Sequence, residues 1–404
     1  MADVGRLALL AAGTVLLAAC SGGADATHTG RPGSAADAGT DPVVLEPVEQ
    51  SAPEDVPSAL EDVGSPGLPA PLVDPARLQA GGPPPDGIPA IDEPRFERAG
   101  DVTWLDEDEA VLSLVVGASA RAYPVQILIW LEIVNDTVEG TPVAVTYCPL
   151  CNSALAYDRR VVDRLVTFGT SGSLYLSALV MYDRQTESLW SQIEGRAIAG
   201  LLAGTELERI PVSTVPWGPW RDANPDGWVL SRETGHVRDY GRNPYTGYDR
   251  PDSEAFLLDE AADGRLPPKE RIVAFPGATD SSAVRLSVLA EAGVLTVDVD
   301  GRPALLVAAP GLASSLDAAD VAEGQEIAAT GAFSPTVDGR TLTFGPDPSG
   351  AGAVDEETGT RWDVLGRATD GALAGSRLAT VPHLDTFWFA WAAFRPDARL
   401  ITGQ

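Results

Sequence analysis

Cysteine and histidine are scarce in this sequence of 404 residues, which contains three of each. The histidines and cysteines are His28, His236, His383, Cys20, Cys148 and Cys151. Three cysteines cannot build a disulfide-dense scaffold, nor can one chain offer four of them to a metal ion. A closed zinc site would need two histidines beside two cysteines, and His28 lies in a region that we expect to be disordered. A structural zinc site is therefore not favoured.

Positive charge is scarce as well. Lysine and arginine number 28 against 58 aspartate and glutamate residues, so the formal net charge is -30. A nucleic-acid partner is excluded, because binding to phosphates needs a basic surface. Attachment to anionic lipid through Lys and Arg is excluded for the same reason. The acidic composition favours solubility, and a hydrophobic content of 44% is sufficient for a buried core.

Long apolar runs are missing after the first 20 residues, where no stretch reaches the roughly 18 residues of a transmembrane helix. Residues 7–19 form a shorter run after Arg6, typical of the h-region of a secretory signal peptide. The run ends in small residues before Cys20 and resembles a bacterial lipobox, whose cysteine carries lipid. We therefore expect residues 1–20 to be a lipoprotein signal peptide. The mature protein would lie outside the cytoplasmic membrane, and that lipid would anchor it to the membrane.

Aromatic residues are absent from the first 95 residues, and Phe96 is the first in the chain. Residues 21–95 are instead rich in Pro, Gly, Ala and Asp. A segment with so few bulky side chains cannot offset its ordering entropy by burial. We therefore predict that residues 21–95 are a disordered spacer and that the folded part begins near residue 96.

The folded part contains an internal repeat. Rare residues recur in the same order in two stretches, as in Leu128/Leu289, Gly140/Gly301, Pro149/Pro310, Asp183/Asp355, Trp190/Trp362, Trp217/Trp388 and Trp220/Trp391. We infer a duplication of one unit over residues 96–230 and 268–404, with residues 231–267 between the copies.

Each copy is predicted to be a strand-rich α+β unit. Residues 110–116 and 142–147 have the pattern of strands, and residues 125–134 that of a short buried helix. Further short strands are expected around residues 166–168, 179–182 and 188–190. Tryptophans at positions i and i+3 near the end of each copy predict a closing helix whose aromatic side chains belong to the core.

Residues found in only one copy are candidates for function, because recurring residues are those that the fold needs twice. The first copy alone carries Cys148, Cys151, Asn135, Asp136, Tyr147 and Asn152. The cysteines form a C-x-x-C pair at the end of a predicted strand, and Ala309 and Leu312 occupy the corresponding places in the second copy. The pair is therefore the first candidate for a site.

Three interpretations of the cysteine pair remain open. It can be a redox dithiol that cycles between thiols and a disulfide. It can bind a soft metal, either Cu(I) alone or zinc with further ligands. It can also be a structural disulfide, although closing so short a loop stabilises the fold by only about 2 kcal/mol. Attachment of haem is excluded, because Asn152 stands where the C-x-x-C-H motif requires histidine.

The sequence resembles a known family in several motifs. They lie in residues 132–137, 145–152, 180–190, 239–242 and 387–391, and include the sequences EIVNDT and VTYCPLCN. Together they are similar to the family called domain of unknown function 3179. The resemblance implies an extracytoplasmic, often lipid-anchored bacterial protein with no established activity. Some relatives are described as selenoproteins, which favours redox chemistry if the selenocysteine lies in the C-x-x-C region. Relatives often have His where this chain has Leu131, so any role of that His is missing here.

The sequence thus predicts an extracytoplasmic lipoprotein that uses Cys148 and Cys151 as a thiol/disulfide redox pair. Asn135, Asp136, Tyr147 and Asn152 would support the pair. Its redox partner would be a protein or small molecule that the sequence does not identify. One alternative is a periplasmic copper- or zinc-binding protein with Cys148 and Cys151 as ligands. The other is a scaffold or surface-interaction protein without catalysis.

Overall fold

β-Strands dominate the structure, a computed structural model that describes residues 57–277 and 281–402. Four α-helices of seven residues each accompany the strands in these ranges. The strand-rich class predicted from the sequence is confirmed. No helix within the described ranges is long and apolar enough to cross a membrane.

The first half contains three main sheets. Its elements are β1 (Leu78–Ala80), β2 (Phe96–Arg98), β3 (Ala110–Val116), β4 (Ser119–Pro124), α1 (Val125–Leu131), β5 (Ile133–Val138), β6 (Thr141–Cys148), β7 (Ser153–Asp158), β8 (Arg160–Val161), β9 (Arg164–Leu165), β10 (Phe168–Tyr175), β11 (Ala178–Asp183), β12 (Leu189–Ser191), β13 (Arg196–Ala199), β14 (Arg209–Ile210), β15 (Val212–Pro216), α2 (Trp217–Ala223) and β16 (Trp228–Leu230). The sheet orders are β15-β3-β4-β16-β2, β14-β7-β6-β5 and β1-β10-β11-β12-β13, and β8 pairs with β9.

The second half repeats this order of elements with fewer strands. Its elements are β17 (Arg271–Phe275), β18 (Ser282–Arg285), α3 (Leu286–Ala292), β19 (Val294–Val299), β20 (Arg302–Ala313), β21 (Glu326–Phe333), β22 (Thr336–Val337), β23 (Arg340–Thr341), β24 (Phe344–Pro346), β25 (Gly352–Asp355), β26 (Arg361–Asp363), β27 (Ala368–Asp370), β28 (Leu384–Phe387), α4 (Trp388–Phe394) and β29 (Arg399–Ile401). The sheet orders are β28-β17-β18-β29, β19-β20-β21 and β24-β25-β26-β27, and β22 pairs with β23.

Helices α1 and α3 end in the same way. The residue after each helix has a positive φ, 55° at Glu132 and 69° at Gly293, and its N–H donates to the carbonyl four residues earlier. A positive φ breaks the helix and turns the chain into the next strand. The helix predicted over residues 125–134 is therefore shorter than expected, because β5 begins at Ile133.

One buried hydrogen-bond network also occurs in both halves. The carboxylate of Asp183 accepts the indole N–H of Trp190 at 2.9 Å, and that of Asp355 accepts the indole N–H of Trp362 at 3.0 Å. Each carboxylate also accepts the backbone N–H and hydroxyl of the threonine three residues later. Each network fixes the turn between two strands of the corresponding sheet and satisfies a buried carboxylate.

The largest apolar core takes side chains from both halves, including Leu112, Tyr157 and Trp391. The tryptophans at i and i+3 lie in α2 and α4 and are at most 1% exposed. Their predicted place in the core is confirmed. β28 of the second half also contacts β7 of the first, so the two halves pack against each other beside the β14-β7-β6-β5 sheet.

The predicted disordered spacer is wrong for residues 57–95, which the structure describes as part of the fold. β1 pairs with β10, and Ile91 exchanges backbone hydrogen bonds with Ile133 and Asn135 on β5. The Asp86 carboxylate accepts the Tyr182 hydroxyl at 2.6 Å. Backbone pairing and charge-assisted hydrogen bonds thus stabilise this segment, which has no aromatic side chains to bury. We call residues 81–92, which run beside β10, the N-terminal strap.

Two glycines of β10 let the strap approach this closely. A Cβ at Gly169 would lie 2.2 Å from the Asp86 carboxylate, and a Cβ at Gly172 would lie 2.2 Å from the Pro83 carbonyl oxygen. Gly172 also has a φ of +76°, which favours glycine. A larger residue at Gly172 would meet the backbone of the strap and push it away from the sheet, whereas one at Gly169 would displace the side chains of Asp86 and Tyr182.

We predict that Gly172→Ala destabilises the protein by about 2–4 kcal/mol, the sum of a positive-φ penalty and a steric clash with Pro83. Gly140→Ala is the matched control, because Gly140 has a φ of +78° but nothing within 4 Å of the added Cβ. This control should lose only about 1 kcal/mol. Urea unfolding measures both changes. Equal losses in the two variants would show that the strap does not press on Gly172.

Candidate functional site

The cysteine pair lies at the turn of a buried β-hairpin. Cys148 ends β6 and pairs across the ladder with Ser153 of β7, and residues 149–152 form the turn. Asn152 closes the turn with a φ of 52°. Both cysteines are free thiols, at most 2% exposed, and their Sγ atoms are 3.0 Å apart. The structure therefore describes a dithiol whose sulfur atoms are in contact and shielded from water.

The two thiols differ in acidity. Burial acts to raise the pKa of Cys148, but hydrogen bonds to its sulfur outweigh this effect and hold the pKa below its ordinary value. The donors are the Cys151 thiol and the backbone N–H groups of Cys151, Leu179 and Leu150. Burial raises the pKa of Cys151, and its hydrogen bond to Cys148 raises it further. Of the two thiols, Cys148 is thus the one favoured to ionise first.

The backbone around the pair is strained. Leu176 and Ser177 form the two-residue turn between β10 and β11 with φ of 53° and 63°, although neither is glycine. The Ser177 carbonyl oxygen lies 3.6 Å from the Cys151 sulfur, within reach of its thiol group. Glu132 and Asn152 also have positive φ. Positive-φ residues of this kind cost about 1–3 kcal/mol each and concentrate at functional sites.

A buried carboxyl group completes the surroundings of Cys148. Glu132 is 7% exposed, and its carbonyl accepts the N–H of Tyr147, the residue before Cys148. Burial raises the pKa of Glu132 well above its ordinary value, and negative charge on Cys148 raises it further. The carboxyl therefore favours its protonated form more strongly than an exposed carboxyl does. Sequence reasoning missed this residue, although an isolated Glu between an apolar helix and an apolar strand was an available signal.

A pocket of about 330 Å³ opens beside the pair. Its inner wall includes Glu132, Leu150 and Leu179. The backbone N–H groups of Leu150 and Leu179 hydrogen-bond to Cys148. Strand β10, the strap and the segment between the two halves, residues 231–267, supply the rest of the wall. That segment contains no helix and no strand, only a single bridge of Arg242 to Asp320. Residues 231–267, for which the sequence predicted no role, thus form part of the wall of this pocket.

Tyr147 and Asn152, two of the predicted supporting residues, flank the pair. The Tyr147 hydroxyl donates to the Asn152 side-chain oxygen at 3.1 Å. Both residues also line a cavity of about 40 Å³ with Arg271 and Asp385 of the second half. Burial raises the pKa of Tyr147, so its hydroxyl stays neutral. The structure brings these two residues to the cysteine turn, where they brace its shape.

Asn135 and Asp136 lie elsewhere on the sheet. Asn135 pairs with Ala144 and Asp136 with Val143, both on β6. At the usual rise per residue of a strand, these two partners lie about 14–17 Å from Cys148. The Asn135 amide exchanges hydrogen bonds with the backbone of Phe168 and donates to Asp92. The Asp136 carboxylate accepts the Tyr123 hydroxyl at 2.6 Å and forms an ion pair with Arg121. Their contacts connect sheets, and the structure does not bring them to the thiols.

The second half holds the cysteine turn in place. The Cys151 carbonyl accepts the N–H of Phe387 at 3.0 Å and the hydroxyl of Thr386 at 2.8 Å. Both donors belong to β28, some 235 residues further along the chain. The turn is therefore fixed by two hydrogen bonds that neither β6 nor β7 supplies.

The remaining sequence candidates lie away from the dithiol or outside the described ranges. Cys20 and His28 are outside these ranges. His383 bonds to the Val381 carbonyl at 2.9 Å, and His236 lines a surface pocket beside the strap. Leu131, which stands in place of the histidine of relatives, is fully buried in the core. No histidine among the described residues thus joins the pair.

The two sulfur atoms are closer together than the thiolates of a tetrahedral zinc site. Within residues 57–277 and 281–402, no group of three or more His, Cys, Asp or Glu is arranged to hold a metal ion. Two thiolates on one tetrahedral zinc ion lie about 3.8 Å apart, given a Zn–S distance of about 2.3 Å. The Sγ atoms of Cys148 and Cys151 are closer than this, at 3.0 Å.

Comparison with known proteins gives a family and no activity. The sequence matches, over residues 85–398, the model of a family described as a protein of unknown function (DUF3179). The match covers most of the chain, so the chain belongs to this family, as its motifs suggested. No curated protein and no solved structure matches the sequence.

The difference in acidity predicts which thiol is alkylated first as pH rises. In a Cys20→Ser chain, the alkylation rate of Cys148 should reach half its maximum at a lower pH than that of free cysteine, because a lowered pKa populates the thiolate earlier. The midpoint for Cys151 should lie above that of free cysteine. Rates are measured by peptide mass spectrometry after pulses of iodoacetamide. Cys151→Ala, which removes one donor, should move the Cys148 midpoint to higher pH. Identical midpoints for both thiols would contradict the assignment.

Proposed function

We propose that this member of the domain of unknown function 3179 family is a thiol/disulfide redox protein that uses Cys148 and Cys151. The observation that carries the proposal is the pair of buried free thiols in contact, with Cys148 as the more acidic one. Oxidation breaks two S–H bonds, forms one S–S bond and delivers two electrons and two protons to the partner. Cys148 attacks as the thiolate, and Cys151 closes the disulfide.

Glu132 has the role of a proton carrier in this proposal. A protonated carboxyl beside a nucleophilic thiol can protonate the reduced product and then accept the proton that Cys151 releases. The thiolate and the acid coexist because their pKa values are displaced in opposite directions, the arrangement typical of paired acid and base groups. Tyr147 and Asn152 support the turn without exchanging protons.

The redox proposal predicts a reversible disulfide between Cys148 and Cys151. Mild oxidation of the Cys20→Ser chain should remove both free thiols and leave a monomer that a dithiol reductant restores, as measured by thiol labelling and mass. In Cys148→Ser and Cys151→Ser, one thiol should stay reduced or form a mixed disulfide. Thiols that resist oxidation in the folded protein would contradict the redox proposal and would favour a scaffold function without catalysis. Stoichiometric copper or zinc in the purified protein, lost in either variant, would instead support a metal-binding function.

We also propose that the protein is an extracytoplasmic lipoprotein, anchored to the cytoplasmic membrane by lipid on Cys20. The support is the apolar run of residues 7–19 before small residues and Cys20. An oxidising compartment would also suit a dithiol that must be reoxidised.

The lipid anchor predicts a change of compartment fraction. Wild-type protein should sediment with membranes and incorporate labelled fatty acid, because lipidation at Cys20 ties it to the bilayer. Cys20→Ser should move the protein to the soluble fraction or leave it unprocessed, without label. Cys148→Ser is the matched control and should stay on the membrane. Label retained in Cys20→Ser would overturn the proposal.

We further propose that the two halves arose by duplication and that only the first kept the site. The support is the common element order, the equal lengths of α1 and α3 and of α2 and α4, and the Asp–Thr–Trp network present twice. In this view the second half retains the fold and serves the dithiol through β28, with Ala309 and Leu312 where the first half has cysteines.

A further inference from the structure

The pocket beside the dithiol has a wall of mainly apolar and aromatic side chains. The residues that line it are Gly81, Pro83, Ile88, Glu132, Leu150, Thr170, Gly172, Ser173, Leu174, Leu179, Tyr245, Tyr248 and Phe256. Its volume of about 330 Å³ falls within the range of small-molecule sites, about 300–1,000 Å³. The pocket is thus large enough for a ring-sized ligand.

The pocket offers no positive charge to a ligand. None of its lining residues is Lys, Arg or His. Lys269 packs on the Tyr248 ring, with its Nζ 3.2 Å from the ring centroid, but it donates to the Tyr248 carbonyl and does not line the pocket. An anionic ligand would have to leave water without a compensating cation, which is costly. The wall therefore selects against anions.

The polar groups of the wall are neutral hydrogen-bond donors. Glu132 favours its protonated form, and burial raises the pKa of both Tyr245 and Tyr248. A protonated carboxyl and tyrosine hydroxyls all carry O–H groups that can point at a ligand. The complementary ligand is uncharged, largely apolar and able to accept hydrogen bonds through oxygen.

We propose that this pocket binds an uncharged quinone-type carbonyl compound, which Cys148 and Cys151 reduce. This inference rests on the proposed dithiol function. The dithiol loses two electrons and two protons and becomes the disulfide, and the quinone gains both and becomes the hydroquinone. Glu132 donates one proton to a quinone oxygen and recovers it from the second thiol. The aromatic wall stacks on the ring. Leu150 and Leu179, which hydrogen-bond to Cys148, form the side of the pocket next to the thiols, and the cysteines themselves do not line it.

The test uses tetramethylbenzoquinone, whose ring has no free position for thiol addition, and the reduced Cys20→Ser chain. Binding is followed by tryptophan and tyrosine fluorescence, and reduction by absorbance. We expect saturable binding and one hydroquinone per disulfide formed. Cys148→Ser should bind equally and reduce nothing. Phe256→Ala removes a partly exposed ring of the wall and should weaken binding about tenfold.

Glu132→Gln tests the proton transfer. It keeps the size of the side chain, so binding should stay within about threefold, while the reduction rate should fall about 100-fold for loss of a general acid. Glu109→Gln is the matched control, because Glu109 is also a buried Glu, with a pKa raised by burial to about 7, and does not line the pocket. Its binding and rate should match those of the parent chain. Glutathione disulfide, an anionic oxidant, should react at least about tenfold more slowly than the quinone.

The outcomes separate this inference from the proposed function. If mild oxidants form the disulfide but tetramethylbenzoquinone neither binds nor is reduced, the quinone inference fails and the redox function stands. If no oxidant forms the disulfide, both fail. Reduction at the same rate in Phe256→Ala and Glu132→Gln would place the reaction outside the pocket and overturn the inference. Faster reaction with glutathione disulfide would also overturn it.

Discussion

The two hydrogen bonds from β28 to the Cys151 carbonyl are the constraint on which the site depends. A turn that carries two cysteines could project into solvent, where its thiols would ionise like free cysteine. Here Thr386 and Phe387 satisfy the carbonyl, and the turn stays within the protein. Because the thiols are buried, the few N–H donors around Cys148 act in a medium of low dielectric and set which sulfur carries charge.

The chemistry of the site follows from this burial. Desolvation raises the pKa of every acid in the group, and the dense hydrogen bonding at Cys148 makes it the exception. Cys151 and Glu132 therefore favour their protonated forms more strongly than Cys148 does. In the proposed redox function, this single low-dielectric environment would supply a nucleophile, a resolving thiol and a proton carrier. The strained turns at residues 132, 152, 176 and 177 position these groups.

The sequence was informative where the pattern is local. The strand over residues 110–116 has the predicted bounds, and the tryptophans at i and i+3 lie in helices as expected. Cys148 and Cys151 stood out because the repeat inferred from the sequence aligns them with Ala309 and Leu312. Tyr147 and Asn152 are adjacent to the cysteines in the chain, and this adjacency places them near the pair in the structure.

The rest depends on distant contacts that no local pattern encodes. The ordering of the strap comes from its pairing with β10 and from two glycines on that strand, not from its own composition. Asn135 shares the first copy with the cysteines, yet its register on β5 places it several residues from them. Glu132 matters because its side chain meets a pocket formed by two remote segments. These features emerge only when strand register and the path of the connecting segments are known.

The reduction potential of the Cys148–Cys151 pair tests the central claim most directly. Stabilisation of the Cys148 thiolate favours the reduced form and so makes the pair a better oxidant. We predict a potential between about −270 and −120 mV, the range of catalytic dithiols, from equilibration in thiol/disulfide buffers. A potential below about −300 mV would mark a structural disulfide and contradict the account.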